Sequence, residues 1–243
     1  MCRFIVYSVT SIAFLISVDP ICAQDYKAKM KEYLNAAERG DVQALTHIGF
    51  MYANGHGVNV NYGEAMKWYR KAARQNYRYA QNCIGHLYEN GLGVEKDVAE
   101  AMRWYRKAAD QSLATAQAKV GYLYQMGMGV EKNYRKAIKW YRKAAGQNDP
   151  TAQTNLGYMY FAGTGVSQDY DEANKWYLKA AKQNFPAAQF NLAYSYETGA
   201  GVPKNLEKAK EWYRKSARNG YSNSQIRLNA LSKSFESKSF ESK

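Results

Sequence analysis

The sequence predicts an all-α solenoid of about six antiparallel helix pairs, and three observations carry that prediction. A unit of 36 residues returns five times without a gap, each copy holds two apolar stripes at helical spacing, and a pair of glycines punctuates every copy at the same place. A fixed period of this size marks a repeat array, in which each unit buries its apolar face only against its neighbours. The copies run 41–76, 77–112, 113–148, 149–184 and 185–220. A half-copy precedes them at 25–40, matched through Tyr26, Met30, Tyr33, Ala36 and Ala37, and another follows at 221–232.

The first half of each copy reads as a helix, here helix A. Small residues at Ala44, Ala80, Ala116, Ala152, Ala188 and Ser224 are followed four on by Ile48, Ile84, Val120, Leu156, Leu192 and Leu228. Gly49, Gly85, Gly121, Gly157 and Ala193 come next, and Tyr52, Tyr88, Tyr124, Tyr160 and Tyr196 close the segment. Spacings of four, one and three place these positions on one helical face, and the Gly column is expected to let a neighbouring backbone approach. Paired glycines such as Gly55 and Gly57 or Gly127 and Gly129 then supply the positive φ that ends a helix and turns the chain. A G-x-G with no preceding strand, no third glycine and no Lys of a phosphate loop reads as turn geometry rather than a phosphate site.

The second half, helix B, carries Ala65, Trp68, Tyr69, Ala72 and Ala73 and their copies, among them Trp104, Trp140, Trp176 and Trp212. Small residues separated by aromatics form a stripe on which two helices pack closely, and the Trp column is expected in the core.

The run A-x-x-x-[ILV]-G-x-[ML]-Y-x-x-G-x-G-V followed by A-x-x-W-Y-[RL]-K-A-A resembles the Sel1-like repeat, a relative of the tetratricopeptide repeat, over about residues 25 to 232. The resemblance implies a right-handed α-solenoid and a family whose members mostly bind other proteins. Ala193, Ser195, Leu178 and Ser216 depart from the pattern, and none of them removes a helix.

Residues 1–23 read as a cleavable signal peptide. Arg3 supplies the positive start, Phe4 to Val18 a mostly apolar run too short to span a bilayer comfortably, and Ile21-Cys22-Ala23 a cleavage site before Gln24. The mature chain is thus expected in the periplasm or outside a bacterial cell, with no stable membrane anchor. Residues 24–40 and 221–232 are expected as capping helices, with Ile226, Leu228 and Leu231 covering the last helix B. The tail 233–243, which duplicates the pentad S-F-E-S-K, reads as disordered.

Cleavage leaves Cys83 as the last cysteine, so stability must come from stacking rather than an internal disulfide. His47, Cys83 and His86 sit in related columns, yet three ligands without a fourth or an orienting carboxylate do not make a metal or nucleophilic site. Acid pairs such as Asp171 and Glu172 or Glu207 and Glu211 fall at the starts of helix B, where the helix dipole favours them. With no G-x-S-x-G, H-E-x-x-H or GK[ST] in the chain, the reading is non-enzymatic, with no cofactor and no metal.

The surface carries the functional signal. The net charge of +13 comes largely from helix B, in Lys67, Arg70, Lys71 and Arg74, Arg103, Arg106 and Lys107, Lys139, Arg142 and Lys143, and Lys175, Lys179 and Lys182. These form a basic stripe that suits an anionic lipid surface or acidic protein, and an exported chain is not expected to meet nucleic acid.

Helix A offers a different face. If the tetratricopeptide geometry carries over, the position after the Gly points into the concave groove, and there stand Phe50, His86, Tyr122, Tyr158 and Tyr194. Four residues earlier lie Thr46, Asn82, Ala118, Thr154 and Phe190, and three later lie Ala53, Glu89, Gln125, Phe161 and Glu197. Varied columns around an aromatic ladder suit a ligand surface, because Tyr offers area and a hydrogen bond at low entropy cost. The other reading is that the rings merely cover neighbouring helices.

The sequence therefore points to an exported scaffold or regulator that holds a protein or peptide along the helix-A face. Two alternatives stay open: a periplasmic immunity protein that neutralises a toxin, and an envelope enzyme acting on cell-wall or β-lactam compounds.

Overall fold

A computed structural model describes residues 20–241, with side chains described for residues 25–232. Among the described residues the chain is twelve α-helices and no strand, each helix packed against the next in sequence. The A helices are α2 (Val42–Asn54), α4 (Arg78–Asn90), α6 (Ala114–Met126), α8 (Pro150–Ala162) and α10 (Pro186–Thr198). They alternate with the B helices α3 (Tyr62–Arg74), α5 (Val98–Asp110), α7 (Tyr134–Gly146), α9 (Tyr170–Lys182) and α11 (Leu206–Arg218). A B-type helix α1 (Pro20–Glu38) precedes the array and an A-type helix α12 (Ser222–Glu241) follows it.

Local chemistry sets each boundary at the repeat period. Asn61, Asp97, Asn133, Asp169 and Asn205 cap the B helices, each side-chain oxygen accepting the backbone N–H three residues on at 2.8 to 3.0 Å. Gly91 and its copies end the A helices with φ near +70°. The second glycine of the pair has a different task. A Cβ on Gly93 would stand 2.8 Å from the Tyr62 carbonyl carbon, so the loop crosses the preceding helix B at glycine distance.

The Gly column inside helix A corrects one expectation. What it seats first is the tyrosine ring of the following helix B, with backbone next at Gly157, where a Cβ would stand 3.1 Å from the Ala173 carbonyl oxygen. A Cβ on Gly85 or Gly121 would lie 2.8 Å from the ring of Tyr105 or Tyr141. These rings, with Tyr69, Tyr177 and Tyr213, form the buried aromatic column. The tryptophans, expected in the core, sit one residue earlier and therefore about 100° round the helix. Only Trp140 is buried, and Trp68, Trp104, Trp176 and Trp212 are half-buried under a Lys three residues on, at 3.9 to 4.3 Å from the ring centre.

The two end helices differ from the interior of the array. In α12 Asn229 occupies the Gly column and Ser232 the Tyr column, so no seat remains for another helix-B tyrosine. Leu228 and Leu231 pack against the Tyr213 cluster as expected, whereas Ile226 is 67% exposed and covers nothing. At the other end Tyr33 of α1 stacks on His47 at 4.8 Å. The helix from Ser222 continues to Glu241 rather than giving way to disorder at 233, since adding residues to a nucleated helix avoids the cost of starting one. The expected signal segment, apart from its last few residues at the start of α1, lies outside the described residues.

Candidate functional site

The face formed by the A helices carries the aromatic row. Phe50, His86, Tyr122, Tyr158 and Tyr194 are all exposed, the tyrosines and Phe50 at 37 to 49%, although each follows a buried Gly or Ala. Burial and the nearby Lys119 ammonium lower the His86 imidazole from its usual value against the opposing pull of Glu89, so it is neutral at pH 7.

The two flanking columns divide. Three residues after the row, Glu89, Gln125 and Glu197 each accept a hydrogen bond from the buried tyrosine sixteen residues on, Tyr105, Tyr141 and Tyr213, at 2.6 to 2.7 Å. The hydroxyl edge of the buried column thus reaches through to the helix-A face. Glu89 also holds Lys119 of the next A helix at 2.9 Å, and Glu197 holds Arg227 of α12 through two bonds at 2.5 and 2.9 Å. Burial alone would raise the Glu89 carboxyl, but the donors Tyr105 and Lys119 hold it below its usual value. Phe161 breaks the column, and the Tyr177 hydroxyl behind it makes no hydrogen bond among the described residues.

The column four residues before the row turns inward. Ala118 and Thr154 are buried, and the Thr154 hydroxyl donates back to the Pro150 carbonyl at 2.7 Å, so Thr154 is not the surface residue expected of it. Asn82 is half-buried, with its side-chain oxygen buried and unpartnered. Phe190 is half-buried and packs on Tyr213 and Tyr221, each at 5.2 Å between ring centres. Between α8 and α10 the rings of Tyr158, Phe161, Phe190 and Tyr194, with Tyr177, Asn191 and Arg227, line a cavity of about 440 Å³.

His47, Cys83 and His86 do not converge. His47 stacks on Tyr33, His86 is exposed, and Cys83 faces the Tyr69 hydroxyl, with burial pushing its thiol up to about 11. Among the described residues no group of three or more His, Cys, Asp or Glu side chains is placed to hold a metal ion, and no helix is long and apolar enough to cross a membrane.

The B helices expose Lys67, Arg70, Lys71 and Arg74, with Arg103, Arg106, Lys107, Lys139, Arg142, Lys143, Lys175, Lys179 and Lys182. Glu64, Glu100 and Glu172 pair with the cations three residues on. Helix α7 has no acid, and Arg135, Lys136, Lys139, Arg142 and Lys143 make it the most basic stretch of that side.

The Sel1 repeat family model matches residues 42–77, 78–113, 114–149, 150–185 and 186–221, each window starting one residue after the copies read from the sequence. A Sel1 repeat protein from Oxalobacter formigenes is 37% identical over 86% of this chain and 83% of its own, with a TM-score of 0.80. The protein c5321, a protective antigen present in uropathogenic Escherichia coli strains, is 40% identical over 83% of this chain but only 43% of its own, with a TM-score of 0.72. The immunity protein Pa5087 from Pseudomonas aeruginosa shares the fold at 20% identity over 84% of each chain, with a TM-score of 0.56. No curated protein sequence matches. Sel1 repeats are generally non-enzymatic modules that mediate protein–protein interaction. With five contiguous matches over the same twelve-helix array, the chain belongs to the Sel1 repeat family.

Proposed function

We propose that this protein is an exported, non-enzymatic scaffold or regulator that holds a protein or peptide segment along the helix-A face. One observation carries the reading: the array exposes an aromatic side chain at the same position of five consecutive repeats while it buries the Gly or Ala beside it. Exposed rings at a fixed spacing cost solvation in the free chain, and interface hot spots are enriched in such residues. Export is supported by the signal-like first 23 residues and by the 40% identity to a protein described as a protective antigen.

The test is affinity capture with residues 24–243 beside a Tyr122→Ala/Tyr158→Ala variant, at low and high salt. The two rings stand at the surface at 37% and 49% exposure, and a thermal melt of the variant confirms that it is folded. The reading expects the variant to lose a partner that survives high salt in the parent chain. A partner indifferent to the variant but released by salt would move the function to the basic face centred on α7.

A further inference from the structure

The helix-A face changes character between the fourth and fifth repeats. Where Glu89, Gln125 and Glu197 receive a tyrosine hydroxyl, Phe161 stands, and where Ala118 and Thr154 lie buried, Phe190 projects. The two departures meet in the cavity of about 440 Å³, its walls completed by Tyr158 and Tyr194. Phe161 and Tyr194 already sit 6.1 Å apart and tilted at 60°, the arrangement in which rings attract.

Two polar groups in this cavity have no partner among the described residues, the Tyr177 hydroxyl and the Asn191 carboxamide. In Asn191's column, Lys119 pairs with Glu89 and Arg227 pairs with Glu197. The cavity offers no unpaired counter-ion, because its one charge, Arg227, is held by both oxygens of Glu197. A charged ligand group would lose its hydration there without a counter-ion.

We propose that this cavity is the specificity pocket of the helix-A face and takes one aromatic side chain of an uncharged, extended peptide segment. The ring enters among Phe161, Phe190, Tyr158 and Tyr194. The Asn191 carboxamide, one acceptor and two donors, meets the peptide's own N–H and C=O, and the Tyr177 hydroxyl offers a further bond. The inference rests on the reading that the helix-A face binds a peptide, and it names which repeats select the peptide and by what chemistry.

The repeats themselves supply a variant, whose fold is checked by a thermal melt because Phe190 also packs on Tyr213. Phe161→Gln restores what Gln125 does for Tyr141, and Phe190→Thr restores what Thr154 does in the repeat before. Fluorescein-labelled, end-blocked Gly/Ser peptides with a central Phe or a central Asp are titrated by anisotropy, beside unlabelled N-acetylphenylalaninamide as competitor. The Phe peptide is expected to bind at least about tenfold more tightly than the Asp peptide and to lose about tenfold on Phe161→Gln/Phe190→Thr. Asn191→Ala is expected to cost about fivefold, the loss of one neutral hydrogen bond. Equal binding of the two peptides, no binding of the Phe peptide up to about 1 mM, or full binding by the double variant would overturn the pocket. Competition by N-acetylphenylalaninamide as tight as the peptide would replace the peptide by a free aromatic molecule, which also overturns it. Tyr122→Ala, one repeat away, separates the two claims: if it releases the Phe peptide while the double variant retains it, the helix-A face stands and the pocket falls.

Discussion

Three equivalent tyrosines offer a graded test of how the array is held. Tyr105, Tyr141 and Tyr177 are each buried on helix B, each with its ring over the Gly of the preceding helix A. Their hydroxyls differ only in what they meet: a carboxylate at Glu89, an amide at Gln125, and Phe161. Tyr→Phe removes one oxygen and leaves the ring packing untouched. Loss of a bond to a charged group costs about 1.5–3 kcal/mol, and of a neutral one about 0.5–1.5. Tyr177→Phe breaks no bond and should change stability by no more than about 0.5 kcal/mol, the usual range for a substitution that disturbs no special feature. For a chain of this size each kcal/mol is about 2–4 °C in Tm, so thermal melts resolve the series. The pH dependence gives a second reading. Glu89 has a lowered carboxyl in the folded state, so the stability it lends is present above its unfolded value of about 4.3 and disappears as pH falls through the lower folded value. The Tyr105→Phe deficit should therefore be full at pH 7 and shrink toward that of Tyr141→Phe as pH falls through that lower value. A Tyr177→Phe loss equal to that of Tyr105→Phe would refute the assignment of the cost to the hydroxyl's partner.

Other perturbations follow from the same packing. Gly121→Ala places a methyl 2.8 Å from the Tyr141 ring and should cost about 1–3 kcal/mol in urea unfolding, a conflict the fifth repeat has already absorbed at Ala193. Trp140→Ala should cost about 3–5 kcal/mol and loosen adjacent repeats first, readable as lost amide protection in α6 to α8, while the half-buried Trp104 costs less. Cys83 should react with a thiol reagent at pH 8 about a hundredfold more slowly than a free thiol, with the rate still climbing at pH 10, because burial pushes its thiol up to about 11.

Much of this was legible because the repeat averages five experiments in one chain. Period, helix phase, the turn glycines and the exposed positions all follow from columns that hold one residue type. What stayed hidden was which neighbour each column meets. Gly49 and its copies signalled close approach, but only packing shows the nearest visitor to be a tyrosine ring. Trp and Tyr are adjacent in every copy, and one residue of helix rotation decides which is core. The buried glutamines Gln81, Gln117, Gln153 and Gln189 went unread, although each accepts a hydrogen bond from Gln111, Gln147, Gln183 or Asn219 thirty residues on and so stitches one repeat to the next. In the candidate site the exposed row followed from carrying the tetratricopeptide geometry over to the position after the Gly. The flanking columns did not, because Thr154 bonds its own helix and Glu89 and Glu197 serve the stack as well as the surface.

The claim that the helix-A face holds the partner is tested most directly by proximity. A photo-reactive amino acid placed in turn at Tyr158 and at Lys139, both exposed but on helix A and helix B of neighbouring repeats, is irradiated in cells expressing the full chain. The account predicts a cross-linked adduct of defined mass from position 158 and none from position 139. An adduct from 139 alone would contradict it and assign the function to the basic side.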